Sequence, residues 1–200
     1  MTLESSNSSA RVQAALAIGT NPDPRFVDKL VERCAIEPDF YVREMLTWAL
    51  VRHEPATTVP KLIGELRSEH AQARSQALHT LSKIGDRQAW PAITRALLTD
   101  PDDEVARGAW RAAVVLVPEG AESELAQVLA TQLGRGGRET QLSLSRALIA
   151  LGGIPDAAKT NPDPRVRRHV LATEQLQRDP ESAFELAIEE AKRVTGRVDR

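Results

Sequence analysis

Apolar residues recur along the chain with a helical period, and one type of helix returns at a nearly constant spacing. Its opening of Asp, two spacers, Val and then Arg or Ala occurs at 39–43, 102–106 and 163–167. A further copy over 73–86 lacks the leading Asp and ends in Leu-Ser-Lys-Ile-Gly-Asp, and helices over 11–19 and 140–152 close similarly. The steps from Val42 to Ala73 and from Ala73 to Val105 are 31 and 32 residues, a period that indicates a repeat protein.

A second type of helix lies between these copies. The predicted ranges are 24–34, 59–67, 90–98 and 122–133, with a short one over 154–159. We take Pro60 and Pro91 as boundary markers. Gly64 and Gly108 fall inside predicted helices, where glycine costs about 1 kcal/mol relative to alanine, so close helix packing is expected at both. Short helices cannot bury their apolar faces alone, and stacking gives them a shared core.

The Asp-x-x-Val-Arg opening, the Ala-Ala or Ala-Leu middle and the Leu-x-x-Ile-Gly-Asp close resemble the second helix of HEAT repeats, over roughly residues 10–175. The resemblance implies an all-α fold, an armadillo-like α-α superhelix (a solenoid) of about five to six antiparallel helix pairs. We expect a disordered tail over 1–9, a single solenoid domain over 10–194 and a frayed end over 195–200. The segment 184–194 is predicted to be a C-terminal capping helix, and its apolar stripe consists of Phe184, Ala187, Ile188, Ala191 and Val194.

A helical wheel built on the repeat separates a buried stripe from an exposed one. With position zero set at Val42, Ala73, Val105, Thr140 and Val166, positions 3, 4, 7 and 8 are mainly Ala, Leu, Met or Val. At about 100° per residue, positions 2 and 6 lie opposite that stripe. Second helices line the concave side of HEAT-type arrays, so the resemblance places these positions on a binding groove. The candidate partner-binding residues on this concave face are Glu44, Trp48, His79, Arg107, Arg111, Arg146 and Arg168.

The chemistry of these residues favours an anionic partner. Arginine forks suit bidentate binding of carboxylate or phosphate, and tryptophan is a common interface anchor. The alternative is that the arginines are solvated or paired with Glu one turn away. At position 1, flanking the stripe, we expect three arginines to form an inter-repeat ladder with three aspartates: Arg43, Arg74 and Arg167 with Asp39, Asp102 and Asp163.

Bulk composition narrows the function classes. The chain is 42% hydrophobic and 27% charged, and its net charge of −2 argues against a protein built mainly to neutralise phosphates. The single cysteine, Cys34, permits neither an intrachain disulfide nor a cysteine-based zinc cluster, and its apolar neighbours predict burial. Since no signal peptide or membrane span is recognisable, a cytoplasmic location is expected.

No complete catalytic set is found in the sequence. Only His53-Glu54 has the order of the His-Glu pairs of HEAT-repeat di-iron hydroxylases, so no metal and no other cofactor is expected. Ser143 and Ser145 lack a nucleophile-elbow pattern, and an enzyme is not expected.

These observations predict a non-catalytic scaffold or adaptor that binds an acidic or phosphorylated segment of another protein on its concave face. The alternative is a nucleic-acid-binding protein or a HEAT-like DNA glycosylase that uses the same groove. Against that alternative, Glu44 is the only acidic residue in the two columns and DNA-binding solenoids carry many more cations. A lyase- or chaperone-like role would use the same surface, and no membrane partner is expected.

Overall fold

The computed structural model describes residues 2–180, and every regular element in that range is helical. The helices are α1 (Ser8–Thr20), α2 (Val27–Ile36), α3 (Phe40–Val51), α4 (Pro55–Glu65), α5 (Ala71–Ile84), α6 (Arg95–Leu98), α7 (Asp103–Leu116), α8 (Glu122–Ala130), α9 (Arg138–Ala150), α10 (Asp156–Lys159) and α11 (Pro164–Arg178). Turns of 3₁₀ helix over Pro24–Phe26 and Arg87–Ala92 precede α2 and α6. The predicted capping helix over 184–194 and the end over 195–200 lie outside the described residues.

The two predicted helix types alternate along the chain. The second helices are α1, α3, α5, α7, α9 and α11, and a first helix precedes each of them from α3 onward. Residues 2–180 therefore contain α1 followed by five helix pairs. The predicted all-α class, built from neighbouring helix pairs, is confirmed.

The chain divides into two compact units, Met1–Leu116 and Val117–Arg200. In the first unit α1 packs on α3, α3 on α5 and α5 on α7, so the second helices form one layer. The first helices α2 and α4 pack on each other and on this layer. In the second unit α9 packs on both α8 and α11. The single domain over 10–194 and the tail over 1–9 stay predictions.

The aspartates that recur at the start of the second helices cap those helices and do not form the predicted ladder. Asp39 Oδ1 accepts the N–H of Val42 at 3.1 Å, and Asp102 Oδ1 accepts that of Val105 at the same distance. Asp163 caps α11 by accepting the N–H of Arg165 at 2.8 Å. A capping side chain satisfies an amide that has no partner within the helix.

The position 1 arginines bind the loops that precede their own helices. Arg43 Nη1 donates to the carbonyls of Glu37 and Pro38 at 3.0 and 2.8 Å, and Arg74 Nη1 donates to those of Ser68 and Glu69 at 2.8 and 3.1 Å. Arg167 likewise donates to a carbonyl five residues back. The expectation that these arginines pair with the capping aspartates is therefore wrong.

A ladder between pairs nevertheless exists, and it uses other carboxylates. Arg11 of α1 reaches Glu37 at 2.7 Å, and Arg74 of α5 reaches Asp100 at 3.2 Å. In both cases the carboxylate lies 26 residues further along the chain, in the turn before the next second helix. Each ion pair thus links consecutive pairs.

Glu37 forms the most enclosed of these contacts, with a side chain that is 0% exposed. It accepts hydrogen bonds from the guanidinium groups of Arg11 and Arg33, each at 2.7 Å, and from the N–H of Asp39 at 2.9 Å. Burial alone would raise the pKa of Glu37, but these hydrogen bonds lower it to about 2. Glu37 therefore ties α1, α2 and the start of α3 together as a carboxylate.

Two of the predicted first helices differ from the structure at a proline. The range 90–98 divides into a 3₁₀ turn that contains Pro91 and the short α6, because proline supplies no N–H for a continuous α-helix. The helix predicted from Val59 begins at Pro55, so Pro60 lies inside α4 and does not mark its start.

The two helical glycines differ in their surroundings. A Cβ at Gly108 would lie 3.3 Å from Leu78 Cβ, in agreement with the predicted close packing of α7 on α5. A Cβ at Gly64 would meet nothing within 4 Å, so the same expectation is wrong there.

A buried polar network centred on His169 holds the second unit together. Gly134, at a φ of 83°, donates its N–H to Nδ1 of His169 at 3.0 Å, so the ring proton resides on Nε2. Nε2 lies 3.0 Å from both the carbonyl of Gln141 and the hydroxyl of Ser145. Thr173 lies 2.7 Å from Ser145 and donates to the His169 carbonyl at 2.8 Å. The neutral imidazole thereby joins the α8–α9 loop, α9 and α11.

We predict that Glu37→Gln lowers the unfolding free energy of the first unit by about 3 kcal/mol at pH 7, since it leaves two arginines without their buried carboxylate. Because the folded-state pKa lies below the unfolded value of 4.5, the deficit shrinks as the pH falls from 4.5 toward 2. Urea denaturation followed by tryptophan fluorescence measures this unit alone, since all three tryptophans lie in it. Exposed Glu32→Gln is the control, and an equal loss in both variants contradicts the prediction.

Acid is predicted to destabilise the second unit before pH 4 is reached. Burial lowers the pKa of His169 to about 4 from an ordinary 6.5, so the unfolded chain takes up a proton first. Stability is complete above pH 6.5 and falls by about 3 kcal/mol as the pH drops to 4. Hydrogen–deuterium exchange of peptides from α9 and α11, corrected for intrinsic rates, measures this loss. Unchanged protection free energies across that interval would disprove it.

Candidate functional site

Five of the seven predicted binding residues lie on three adjacent second helices of the first unit. Glu44 and Trp48 project from α3, His79 from α5, and Arg107 and Arg111 from α7. Packing of α3 on α5 and of α5 on α7 brings these columns side by side. We call the surface formed by these five residues the second-helix face. Arg111 is exposed and the other four are half-buried.

Glu44 and His79 meet across the α3–α5 contact. Glu44 Oε1 lies 3.3 Å from Nε2 of His79, but the ring N–H is not aligned for a hydrogen bond. Burial lowers the pKa of His79, the carboxylate of Glu44 opposes this change, and the positive charges of Arg111 and Lys83 reinforce it. The net direction is downward from 6.5, so His79 is neutral at pH 7.

The two arginines of α7 have different partners. Arg107 Nη1 pairs with Glu104 Oε1 at 2.8 Å on the same helix, while its Nε is buried without a hydrogen-bond partner among residues 2–180. Arg111 has no carboxylate within 4.0 Å in that range. Desolvation and the adjacent charge of Arg107 lower the pKa of Arg111, and the more distant Glu104 and Glu44 offset this in part. Arg111 is the cation on this surface whose charge is least compensated.

Trp48 lies at the α1 side of the same surface. A Cβ built on Gly19 of α1 would approach its ring to 2.3 Å, so only glycine leaves room for the indole. Arg52 places its guanidinium carbon 5.6 Å from the ring centroid and donates to the Gly19 carbonyl at 3.2 Å. Sequence reasoning did not include Arg52, although its spacing of four residues from a helical tryptophan is the signal for such a contact.

The remaining two predicted residues belong to the second unit, where the helical wheel predicts exposed positions less accurately. Arg146 is exposed on α9 and Arg168 is half-buried on α11. Their column neighbours are apolar: Leu142, at position 2 of α9, packs against the buried cluster of Leu176 and Ala172, the latter at position 6 of α11. Positions expected to face solvent thus form a core contact, because two apolar side chains there face each other.

The reactive side chains in the described residues are enclosed. Ser145 and His169 are in contact, but Nε2 carries the ring proton and cannot accept one from the hydroxyl, and neither residue is reachable from solvent. Burial raises the pKa of the Cys34 thiol to about 12, which suppresses thiolate chemistry. Within residues 2–180 no group of three or more His, Cys, Asp or Glu is arranged to hold a metal ion.

Alternating first and second helices, capped by aspartate and joined by arginine–carboxylate pairs, define an α-helical repeat protein. Residues 35–114 match the family described as HEAT repeats, and the predicted resemblance is confirmed over this part of the chain. The match runs from the end of α2 through α3, α4, α5 and α6 into α7, and it includes the second-helix face. HEAT repeats generally serve as protein-interaction scaffolds and are typically non-enzymatic.

A comparison with curated proteins finds no match. Among the described residues, no helix has the length and apolar character needed to cross a bilayer.

Two glycine replacements should have opposite effects on the first unit. Gly19→Ala is predicted to lower its unfolding free energy by about 2 kcal/mol and to shift the Trp48 emission, because the new methyl group overlaps the indole. Gly64→Ala is predicted to raise it by about 1 kcal/mol, since α4 offers open space and alanine favours the helix. Denaturation followed by tryptophan fluorescence tests both. A neutral Gly19→Ala would contradict the assigned packing of Trp48.

Proposed function

We propose that the protein is a non-catalytic interaction scaffold whose second-helix face binds an acidic or phosphorylated segment of a partner protein. Arg111 supplies the main contact, Arg107 and Lys83 add positive charge, and Trp48 with Arg52 forms an aromatic and cationic border. In HEAT-type arrays this layer of helices is the concave one, and the proposal places the partner segment there.

The observation that carries the proposal is the charge on Arg111. Arg111 is an exposed residue whose guanidinium has no carboxylate within 4.0 Å among residues 2–180 and lies near a second arginine. Of the two nearby carboxylates, Glu104 is paired with Arg107, and Glu44 lies against the neutral ring of His79. A carboxylate or phosphate from outside would offset this excess charge and use the bidentate geometry of the guanidinium.

Glu44 makes the second-helix face selective among anionic partners. Its carboxylate is 40% exposed and can be displaced, and it stands where an incoming anion would approach His79. Only partners with enough negative charge to compete with Glu44 would therefore bind well.

Nucleic acid is a weaker candidate for this surface. Glu44 and Glu104 lie among its cations, and the chain as a whole carries a net charge of −2. Duplex binding depends on releasing counterions through many phosphate contacts, which this surface does not offer.

We predict that Arg111→Glu reduces capture of the partner at least tenfold, about 1.4 kcal/mol, because it replaces attraction of an anion by repulsion. Affinity purification with quantitative mass spectrometry compares the wild type with Arg111→Glu. Arg95→Glu is the matched control, because it makes the same charge change at an exposed position on a first helix.

Peptides from the strongest partner, with and without phosphate, are then titrated by fluorescence anisotropy beside duplex and single-stranded DNA. The proposal fails if Arg111→Glu retains the same partners at the same intensity, or if salt-sensitive DNA binding is the only interaction found. Arg146→Glu and Arg168→Glu, tested separately, report whether the second unit contributes.

A further inference from the structure

An open apolar groove lies beside α1. It has a volume of about 550 Å³ and runs between α1 and α2. The apolar side chains along it are Leu3, Ala14, Ala17, Ile18, Phe26 and Ile36. Ile36 is 67% exposed, and Phe26 and Ala17 are also exposed. Such a contiguous apolar surface is typical of a binding site.

The groove lies where the repeat would place a first helix. Within residues 2–180, α1 is a second helix without a first helix before it, because residues 2–7 form turns and bends. In the pairs that follow, a first helix packs on its own second helix and on the neighbouring first helix, as α4 does on α5 and α2. A first helix for α1 would accordingly lie against α1 and α2, the two walls of the groove.

The sequence after α11 has the pattern of a first helix. It follows a second helix, which is the place of a first helix in the alternation. Phe184, Ala187, Ile188 and Ala191 have the same spacing as the four buried residues of α2, which are Val27, Leu30, Val31 and Cys34. The segment 184–194 is also as long as α4, which has 11 residues. Within residues 2–180, α1 therefore has no first helix packed beside it, and the sequence pattern of a first helix follows α11.

We propose that residues 184–194 of one copy of this chain occupy the groove between α1 and α2 of a second copy and complete its first helix pair. The contact is head-to-tail, so it uses two different surfaces and can extend into chains of copies or close into a ring. The proposal is independent of the second-helix face.

Charge along the groove agrees with this occupant. Neighbouring first helices of the first unit are joined by an ion pair, Lys61 of α4 with Asp28 of α2 at 2.6 Å. The charged residues of the groove lining are Glu4, Lys29, Glu32 and Arg33, two of each sign. The segment is also mixed in charge, since it carries Glu185, Glu189, Glu190, Lys192 and Arg193.

Sedimentation equilibrium of the full chain tests the proposal. The wild-type mass is expected to rise with concentration from the low to the high micromolar range. Ala17→Glu, which places a charge on the groove wall, and Ile188→Glu, which places one on the stripe, should each weaken association at least tenfold. Gln13→Glu is the control, because Gln13 is exposed on α1 outside the groove and should leave association unchanged. Circular dichroism verifies that all variants remain helical.

A labelled peptide of residues 181–200, titrated into the full chain, identifies the occupant. Binding to the wild type and to Gln13→Glu, with at least tenfold weaker binding to Ala17→Glu, is the expected result. A wild-type mass that stays monomeric at every concentration, without peptide binding, would overturn the proposal in favour of a segment that packs on its own chain. Loss of association in Ile188→Glu but not in Ala17→Glu would overturn the assignment to this groove.

Discussion

A hydrogen bond between a turn side chain and the amide two residues later fixes the geometry at the start of three second helices, α3, α7 and α11. Glu37 accepts the N–H of Asp39, Asp100 that of Asp102, and Asn161 that of Asp163, each at 2.9 Å. The residue that receives this bond then caps the helix, so the chain direction is set before the helix begins. Where the turn residue is a carboxylate, the same group also receives an arginine from the preceding pair. One side chain thereby determines both the start of a helix and its attachment to its neighbour.

The second-helix face depends on this attachment. Once consecutive second helices begin at equivalent places, residues at the same wheel position line up across the layer, and Glu44 comes within 3.3 Å of His79. The groups then influence one another: the uncompensated Arg111 helps to keep His79 neutral, and a neutral His79 leaves the charge of Glu44 unpaired. An exposed arginine near such a carboxylate favours ligands whose negative charge outweighs that of Glu44.

Much of this arrangement could be predicted from the sequence, because helix period and capping residues are local properties. The alternation of helix types, the burial of Cys34, and the columns on α3, α5 and α7 all follow from short-range patterns. Ion-pair partners could not be predicted in this way. Asp100 and Asp102 lie at similar distances from Arg74 along the sequence. Because Asp102 caps α7, Asp100 is the carboxylate that pairs with the arginine. The apolar contact of Leu142 with the cluster of Ala172 and Leu176 likewise depends on how α9 packs on α11. A helical wheel drawn for one helix carries no information about that packing.

Ser68 occupies the turn position that Glu37 and Asp100 hold in the neighbouring pairs, and it accepts the N–H of His70 at 3.3 Å. Because there is no carboxylate at this position, Arg43 forms no ion pair here like those of Arg11 and Arg74. The neutral amide of Gln72 makes the contact between these two helix pairs instead. That amide donates to the carbonyls of Cys34 and Glu37 at 3.0 and 2.8 Å. The first unit therefore has a joint held by a neutral amide between two joints held by arginine–carboxylate pairs. Acid that protonates Glu37 weakens the joint between α1 and α3, whereas the Gln72 amide does not titrate, so adjacent connections of the array differ in their response to acid.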